Sequence, residues 1–232
     1  MSSTSASPAR GGFLDFLNEN DRSDLDGLGR LQRYARGAWI MRQGDPSDSV
    51  AIILEGRAKI TLDTADGRVI LLDVFGPGEV VGEFEAFGGY ASRAAGVVAL
   101  DAVVCRTLTR AQFLDYLMAH PAGAIGLVRM MIRRLGAADR RRISGTSMNA
   151  SYALARFLIE LADGYGPADA SAIELDLPLA QHELASLIGV SRNSIVRALS
   201  TLRSRRLVAT GQGTIRVLDA DALRQYADPM RR

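Results

Sequence analysis

The stretch that decides the fold runs from residue 179 to residue 207 and reads LAQHELASLIGVSRNSIVRALSTLRSRRL. Two apolar repeats at helical spacing are separated by Gly189, where a sharp turn between helices favours a positive φ. Ser191 stands at the start of the second repeat and can cap a helix there. Ile195 and Leu199 face inward on that helix. The stretch therefore predicts a helix-turn-helix.

Polar side chains occupy the outward face of the predicted second helix. In helix-turn-helix proteins the early residues of this helix reach base edges in the major groove of DNA. Arg192 has the geometry to span guanine O6 and N7, and Asn193 matches adenine N6 and N7. Two short apolar runs around a 211–213 turn predict a two-stranded wing that contacts phosphate. An ordinary helical hairpin with a solvated arginine face is the alternative. The predicted DNA-binding residues are Gln181, His182, Ser191, Arg192, Asn193, Arg197, Ser200 and Arg216.

Charge is distributed unevenly along the 232 residues. Residues 178–232 hold nine basic and four acidic side chains, whereas residues 1–177 hold 19 basic and 22 acidic ones. A basic carboxyl-terminal region indicates a polyanionic partner, here double-stranded DNA. Genome base composition is an alternative reason for the bias, since 27 of the 28 basic residues are arginine.

The single cysteine, Cys105, excludes an intramolecular disulfide and a cysteine-ligated iron–sulfur or zinc site, and it suits a reducing cytoplasm. No apolar run approaches the roughly 18 residues of a membrane span, so no membrane partner is expected. Residues 1–12 lack the apolar core of a signal peptide and are expected to form a disordered tail.

Short β-rich runs between Gly37 and Leu108 alternate with turn residues. Strands at this spacing indicate an antiparallel barrel or jelly roll, and the Asp66-Gly67 pair between two apolar runs indicates a hairpin. The segment from Phe13 to Tyr34 has helical spacing and predicts one or two short helices. The expected fold class is α+β, with an N-terminal antiparallel β-roll, a long helix and a C-terminal winged helix-turn-helix.

A long helix is predicted to begin at Pro121, a favourable first position for proline. Its apolar residues form a narrow stripe and its arginines lie mostly elsewhere. A stripe of this kind pairs with its twin across a two-fold axis in many proteins, so we expect a homodimer through residues 121–144. Packing of the helix on its own barrel is the alternative. The stripe comprises Ile125, Val128, Met131, Ile132 and Leu135.

These observations predict a domain order. It is a tail (1–12), an effector β-roll (13–120), a dimerisation helix (121–144), a hinge (145–150), a winged helix-turn-helix (151–218) and a C-terminal tail (219–232).

The sequence resembles the cyclic-AMP receptor protein and FNR family of bacterial regulators from about Phe13 to Leu218. The resemblance implies a cyclic-nucleotide-binding-like β-roll, a homodimer on a near-palindromic operator, and RNA polymerase as a partner in activation or repression. The motifs that carry it are Gly37, Gly44-Asp45, Gly56, Gly76-Pro77-Gly78-Glu79, Gly82-Glu83, Arg93, Arg133-Arg134-Leu135 and Gly189-Val190-Ser191-Arg192.

The resemblance also implies an effector pocket. Arg93 would neutralise a cyclic phosphate, Glu83 would accept from a ribose hydroxyl, and Gly82 would let backbone approach the ligand. Arg134 on the long helix resembles a residue that pairs with the glutamate. A structural ion pair between Glu83 and Arg93, without any ligand, is the alternative. The predicted ligand-binding residues are Gly82, Glu83, Phe84, Arg93, Ala94, Arg134, Ala138 and Asp139.

Two positions differ from the family pattern. Ala94 replaces a hydroxyl side chain that would contact the phosphate, and Ala138-Asp139 replaces a Thr-Ser pair that would hold adenine. A carboxylate only accepts hydrogen bonds, so Asp139 suits the N1–H and N2–H₂ edge of guanine. We therefore expect cyclic GMP or cyclic di-GMP to be favoured over cyclic AMP. The alternative is that Asp139 is a solvated helix residue.

Other functions have weaker support. The sequence holds no nucleophile–base signature, no paired metal-ligating histidines and no phosphate-binding glycine loop, so no catalytic or metal residues are predicted. No tightly bound cofactor is expected. Only Cys105, His120 and His182 could ligate a haem, and nothing in the sequence indicates a haem at any of them. A regulatory protein that binds a cyclic nucleotide and acts on a protein partner is a rival, as is a family member without a nucleotide effector.

Overall fold

The computed structural model describes residues 12–46, 48–147, 149–165, 173–175, 178–211 and 214–227. They form two compact units that divide between Arg134 and Leu135, inside one long helix. The predicted tail lies outside the described residues except for Gly12. That residue is buried and its N–H donates to Asp15, so the folded chain already includes it.

The first unit contains two antiparallel four-stranded sheets. The strands are β1 (Arg30–Tyr34), β2 (Trp39–Met41), β3 (Ser49–Glu55), β4 (Ala58–Asp63), β5 (Val69–Phe75), β6 (Val80–Val81), β7 (Gly96–Ala99) and β8 (Val103–Thr109). The order of the strands is β1-β8-β3-β6 in one sheet and β2-β7-β4-β5 in the other. The helices are a 3-10 turn (Phe13–Phe16), α1 (Glu19–Asp26), α2 (Glu83–Gly88), α3 (Arg110–Ala119) and the start of α4 (Pro121–Ser147). The predicted β-roll and the Asp66-Gly67 hairpin, which joins β4 to β5, are confirmed.

The middle of strand β3, from Val50 to Ile53, is apolar because it is buried on both faces. Successive side chains of a strand point to opposite sides of the sheet. Ala51 and Ile53 pack between the two sheets, whereas Val50 and Ile52 pack beneath the helices on the outer face. Helix α3 begins with a capping box in which Thr109 and Gln112 satisfy each other's backbone N–H groups.

The prediction of helix as far as Tyr34 is wrong. Residues Arg30–Tyr34 form β1, an edge strand paired with β8 from Arg30↔Thr107 to Tyr34↔Val103. Leucines at helical spacing suggested the helix, but pairing with β8 satisfies the backbone groups of this segment and overrides the local pattern.

Helix α4 has two apolar faces. Leu127 and Met130 are buried in the cluster that covers the first sheet. The residues of the predicted stripe point elsewhere: Ile125, Val128, Ile132 and Leu135 are 53–65% exposed, and Met131 is 37% exposed. The stripe is therefore not the face that packs on the helix's own β-roll.

The second unit is mainly helical and carries a three-stranded antiparallel sheet, in the order β10-β11-β9. Its elements are the rest of α4, α5 (Ala150–Tyr165), β9 (Ile173–Leu175), α6 (Gln181–Ile188), α7 (Arg192–Ser204), β10 (Val208–Thr210), β11 (Ile215–Val217) and α8 (Ala220–Ala227). Phe157, Leu158 and Leu161 of α5 are fully or nearly fully buried and form the centre of this unit with Leu202 of α7. No helix among the described residues is long and apolar enough to cross a membrane.

Two predicted boundaries change. Residues assigned to a C-terminal tail form α8, whose Leu223 and Ala227 are buried, because an apolar face at helical spacing packs on α5. Residues 145–147 of the predicted hinge belong to α4, which ends at Ser147, and α5 begins at Ala150. Residue 148 lies outside the described residues.

Candidate effector and DNA-binding sites

Gly82 is the turn that positions the candidate effector site. It joins β6 to the six-residue helix α2 with φ of 84°, a left-handed conformation that favours glycine. A Cβ at this position would lie 2.6 Å from Arg93 Nη1 and 2.9 Å from the Ser49 carbonyl oxygen. The site therefore needs glycine both for the turn and for the close approach of Arg93.

The Arg93 guanidinium is buried and held by the chain itself. Its Nη2 donates to the Ser49 carbonyl at 2.6 Å and to Ser49 Oγ at 3.0 Å. Its Nη1 lies 3.5 Å from Glu85 Oε2, and both side chains are less than 10% exposed. The second oxygen of Glu85 accepts the Ala94 N–H at 2.8 Å. Arg93 and the Ala94 amide thus converge on one carboxylate.

The structure corrects the alternative in which Glu83 pairs with Arg93. The carboxylate beside Arg93 is Glu85, because α2 turns successive side chains to different sides of the helix. Glu85 and Ser49 were missed by the sequence reasoning. An acidic residue two positions after Glu83 is the only signal that the sequence offers.

Glu83 instead faces α4. Arg134 Nη1 donates to Glu83 Oε1 at 2.5 Å, Arg134 Nε donates to Glu79 Oε2 at 2.8 Å, and Arg133 Nη2 donates to Glu79 Oε1 at 2.8 Å. The Arg134 guanidinium also lies over the ring of Phe75, 3.8 Å from its centroid. This network links the β-roll to the part of α4 that lies in the same unit.

Burial raises the pKa of Glu83, and the positive charge of Arg134 opposes that shift. A carboxylate that is nearly surrounded by protein loses hydration that favours its charged form. Arg134 thus favours the charged form of Glu83, against the larger effect of burial.

The remaining predicted ligand-binding residues lie elsewhere. Phe84 is 54% exposed and stacks on Tyr90 with ring centroids 5.3 Å apart. Ala138 and Asp139 are exposed on α4 in the second unit, where Asp139 Oδ1 lies 3.6 Å from Arg142 Nη2.

A cleft of about 570 Å³ opens on the β-roll beside Ser49. Its lining includes Tyr34, Met41, Ala51 and Thr107. None of the predicted ligand-binding residues lines it, but Ser49 joins it to the Arg93 contacts.

The candidate haem ligands have structural roles or lie at the surface. Cys105 is fully buried in the core between the two sheets, and burial raises the pKa of its thiol to about 12. His120 Nδ1 lies 2.9 Å from Asp21 Oδ1, and the His120 ring stacks on Tyr116. His182 is exposed at the start of α6.

The helix-turn-helix consists of α6 and α7. Gly189 ends α6 with φ of 77°, and its N–H donates back to Ala185 and Ser186. Ser191 caps α7 by accepting the Ser194 N–H at 3.1 Å. The inward residues Ile195 and Leu199 are buried.

The predicted DNA-facing side chains form one exposed surface of α7, which we call the recognition face. Its residues are Arg192, Asn193, Arg197 and Ser200, and all four are exposed. Gln181 and His182 are exposed at the start of α6, as is Ser191 at the cap of α7.

Arg216 is exposed on β11, between Ala209 of β10 and Glu174 of β9. The wing thus has a third strand, and residues 212–213 of its predicted turn lie outside the described residues.

Two family models match the chain, in the order in which its two units occur. A model of the cyclic nucleotide-binding domain matches residues 31–120, and a model of the Crp-like helix-turn-helix domain matches residues 153–226. Together they cover most of the sequence.

Curated relatives match over both domains. A CRP-like cAMP-activated global transcriptional regulator of Mycobacterium tuberculosis is 26% identical over 196 residues, which are 84% of this chain and 86% of that protein. The cyclic AMP receptor protein of Thermus thermophilus is 28% identical over 198 residues, with the same two coverages.

Solved structures share the fold. A CRP-family transcriptional regulator of Thermus thermophilus matches with a TM-score of 0.70 at 28% identity, covering 84% of this chain and 96% of that one. The cyclic di-GMP responsive regulator CLP of Xanthomonas campestris matches with a TM-score of 0.71 at 19% identity, covering 86% and 99%. With its cyclic nucleotide-binding domain and its helix-turn-helix, the chain belongs to the CRP/FNR family of DNA-binding transcription regulators.

Proposed function

We propose that the chain regulates transcription as a homodimer that reads a near-palindromic operator with the recognition face of α7. The observation that carries this proposal is the exposed, cationic face of a capped second helix. We expect Arg192 to read guanine and Asn193 to read adenine, and Arg197 and Ser200 lie further along the same face. RNA polymerase is the expected further partner, and the cytoplasm is the expected location.

The homodimer is supported by the exposed stripe of α4. Val128 and Ile132 are more than half exposed, although neighbouring Leu127 and Met130 are buried. Contiguous exposed apolar surface on a helix indicates a partner. In the proposed symmetric pair, two copies of the stripe pack on each other, and the two recognition helices are expected to read half-sites about 34 Å apart, one turn of DNA.

The proposed effector is a cyclic nucleotide bound in the β-roll. Support comes from the domain model and from Arg93, a buried cation beside a backbone N–H. Asp139 favours a guanine base by its hydrogen-bonding chemistry. The relatives from M. tuberculosis and T. thermophilus are named for cyclic AMP, so that ligand is the necessary comparison. Calorimetric titration of cyclic AMP, cyclic GMP and cyclic di-GMP decides, and tighter binding of cyclic AMP would overturn the guanine assignment.

The DNA-binding assignment is tested by gel shift on genomic fragments with Arg192→Ala and a matched control, Arg68→Ala. Arg68 is an exposed arginine at the β4–β5 hairpin, remote from α6 and α7 in sequence. We expect Arg192→Ala to lose about 1–3 kcal/mol of discrimination between operator and random DNA, with the control unchanged. Binding should also weaken steeply with salt. An equal effect of Arg192→Ala on both DNAs would contradict a base-reading role.

A further inference from the structure

The buried anion site of the β-roll already holds a carboxylate from the chain. We propose that Glu85 is an internal occupant of this site, which a cyclic phosphate must displace before Arg93 can bind it. This inference rests on the proposed role of Arg93 as the phosphate-binding residue. In this proposal Glu85 competes with the ligand for Arg93, and the competition raises the ligand concentration at which the site is filled.

The geometry resembles the binding of a two-oxygen anion. One oxygen of Glu85 accepts the Ala94 N–H at 2.8 Å, and the other lies 3.5 Å from Arg93 Nη1. The donors therefore come from one side chain and one backbone amide in consecutive residues. Charged hydrogen bonds of this kind are how arginine and backbone N–H groups bind phosphate oxygens.

Glu85 and a phosphate cannot occupy the site together. The Glu85 side chain is 7% exposed and the Arg93 side chain is 4% exposed, so water screens little between them. The other terminal nitrogen of Arg93, Nη2, already donates to the carbonyl oxygen and the hydroxyl of Ser49. An entering phosphate would meet a like charge at the same two donors, and one of the two anions must leave.

Displacement of Glu85 would also affect the long helix α4. Glu85 lies two residues from Glu83 on the six-residue helix α2, and Glu83 pairs with Arg134 of α4. A movement of α2 that withdraws Glu85 therefore strains or shifts the Glu83–Arg134 contact. The exchange of one anion for another gives the β-roll two discrete arrangements, which is what a ligand switch requires.

The first test uses small anions and does not depend on a nucleotide. Glu85→Ala empties the site, so acetate or inorganic phosphate should stabilise this variant by about 3–6 °C in Tm at roughly ten times the anion Kd. The Tm should not rise in this way in three controls: the native chain, the double variant Arg93→Gln/Glu85→Ala, and Glu55→Ala. Glu55 is an exposed glutamate of β3. Equal shifts in Glu85→Ala and in the native chain would overturn the inference.

The second test measures nucleotide affinity by calorimetry. Glu85→Gln keeps the shape of the side chain and removes its charge, so cyclic AMP and cyclic GMP should bind this variant at least about tenfold more tightly than the native chain. Equal affinity in both would overturn the inference and leave the proposed effector in place. Anion rescue of Glu85→Ala without any nucleotide binding would support Glu85 as the internal occupant of an anion site, and would refute both the nucleotide effector and the displacement of Glu85 by a cyclic phosphate.

Discussion

Replacement of Ile132 by alanine tests the homodimer directly. Ile132 is 64% exposed on the stripe of α4. Complete burial of an isoleucine side chain is worth about 1.5–3 kcal/mol, so covering the exposed part across a two-fold axis is worth about 1–2 kcal/mol. A symmetric dimer contains the residue twice, which makes the loss about 2–4 kcal/mol. We therefore expect Ile132→Ala to raise the Kd of the dimer by roughly two orders of magnitude.

The measurement is sedimentation velocity over a concentration series. Leu31→Ala is the matched control, because Leu31 is a similarly exposed aliphatic residue, 56% exposed, on β1. Since Ile132 is not part of the buried cluster, Ile132→Ala should leave the thermal unfolding of the protomer nearly unchanged. A native chain that stays monomeric at high concentration, or equal Kd values for the two variants, would refute the reasoning.

Three further outcomes are expected. Ser191→Ala removes the cap that accepts the Ser194 N–H and should lower the free energy of unfolding by about 1 kcal/mol in urea titrations; an unchanged value would argue against the cap. Leu202→Ala opens a cavity at a fully buried position and should cost about 2–5 kcal/mol in the same assay, whereas a loss below that range would mean the site collapses. Because burial raises the pKa of Glu83 above its ordinary value of 4.5, the folded chain binds that proton more tightly than the unfolded chain, and stability from this group falls as pH rises above that value. Urea titrations from about pH 4 to about pH 7 should therefore show Glu83→Gln gaining stability relative to the native chain, and a constant difference would contradict the shift.

The helix-turn-helix was predictable from sequence because its determinants are local. Its signals lie within a few residues of one another, and each indicates two helices joined by a sharp turn. They are Gly189, the Ser191 cap and the inward positions Ile195 and Leu199. The β-roll was predictable as a class for a similar reason, since turn residues separate its short strands.

The effector site was only partly predictable. Arg93 was found because it stands in a recognisable motif, but its partner depends on how α2 packs against β3, which is not a local property. Ser49 lies 44 residues before Arg93 in the chain, and no spacing pattern indicates that contact. The edge strand Arg30–Tyr34 was misassigned because pairing with β8, a distant segment, decides its conformation.

The burial of Cys105 has a practical consequence for measuring the proposed switch. A thiol whose pKa is raised to about 12, and which is closed off between two sheets, reacts very slowly with maleimides at neutral pH. A cysteine introduced at an exposed position such as Ser200 would therefore carry a spectroscopic label selectively, without removal of the natural thiol. Two such labels in a symmetric pair would report the separation of the recognition helices before and after ligand is added.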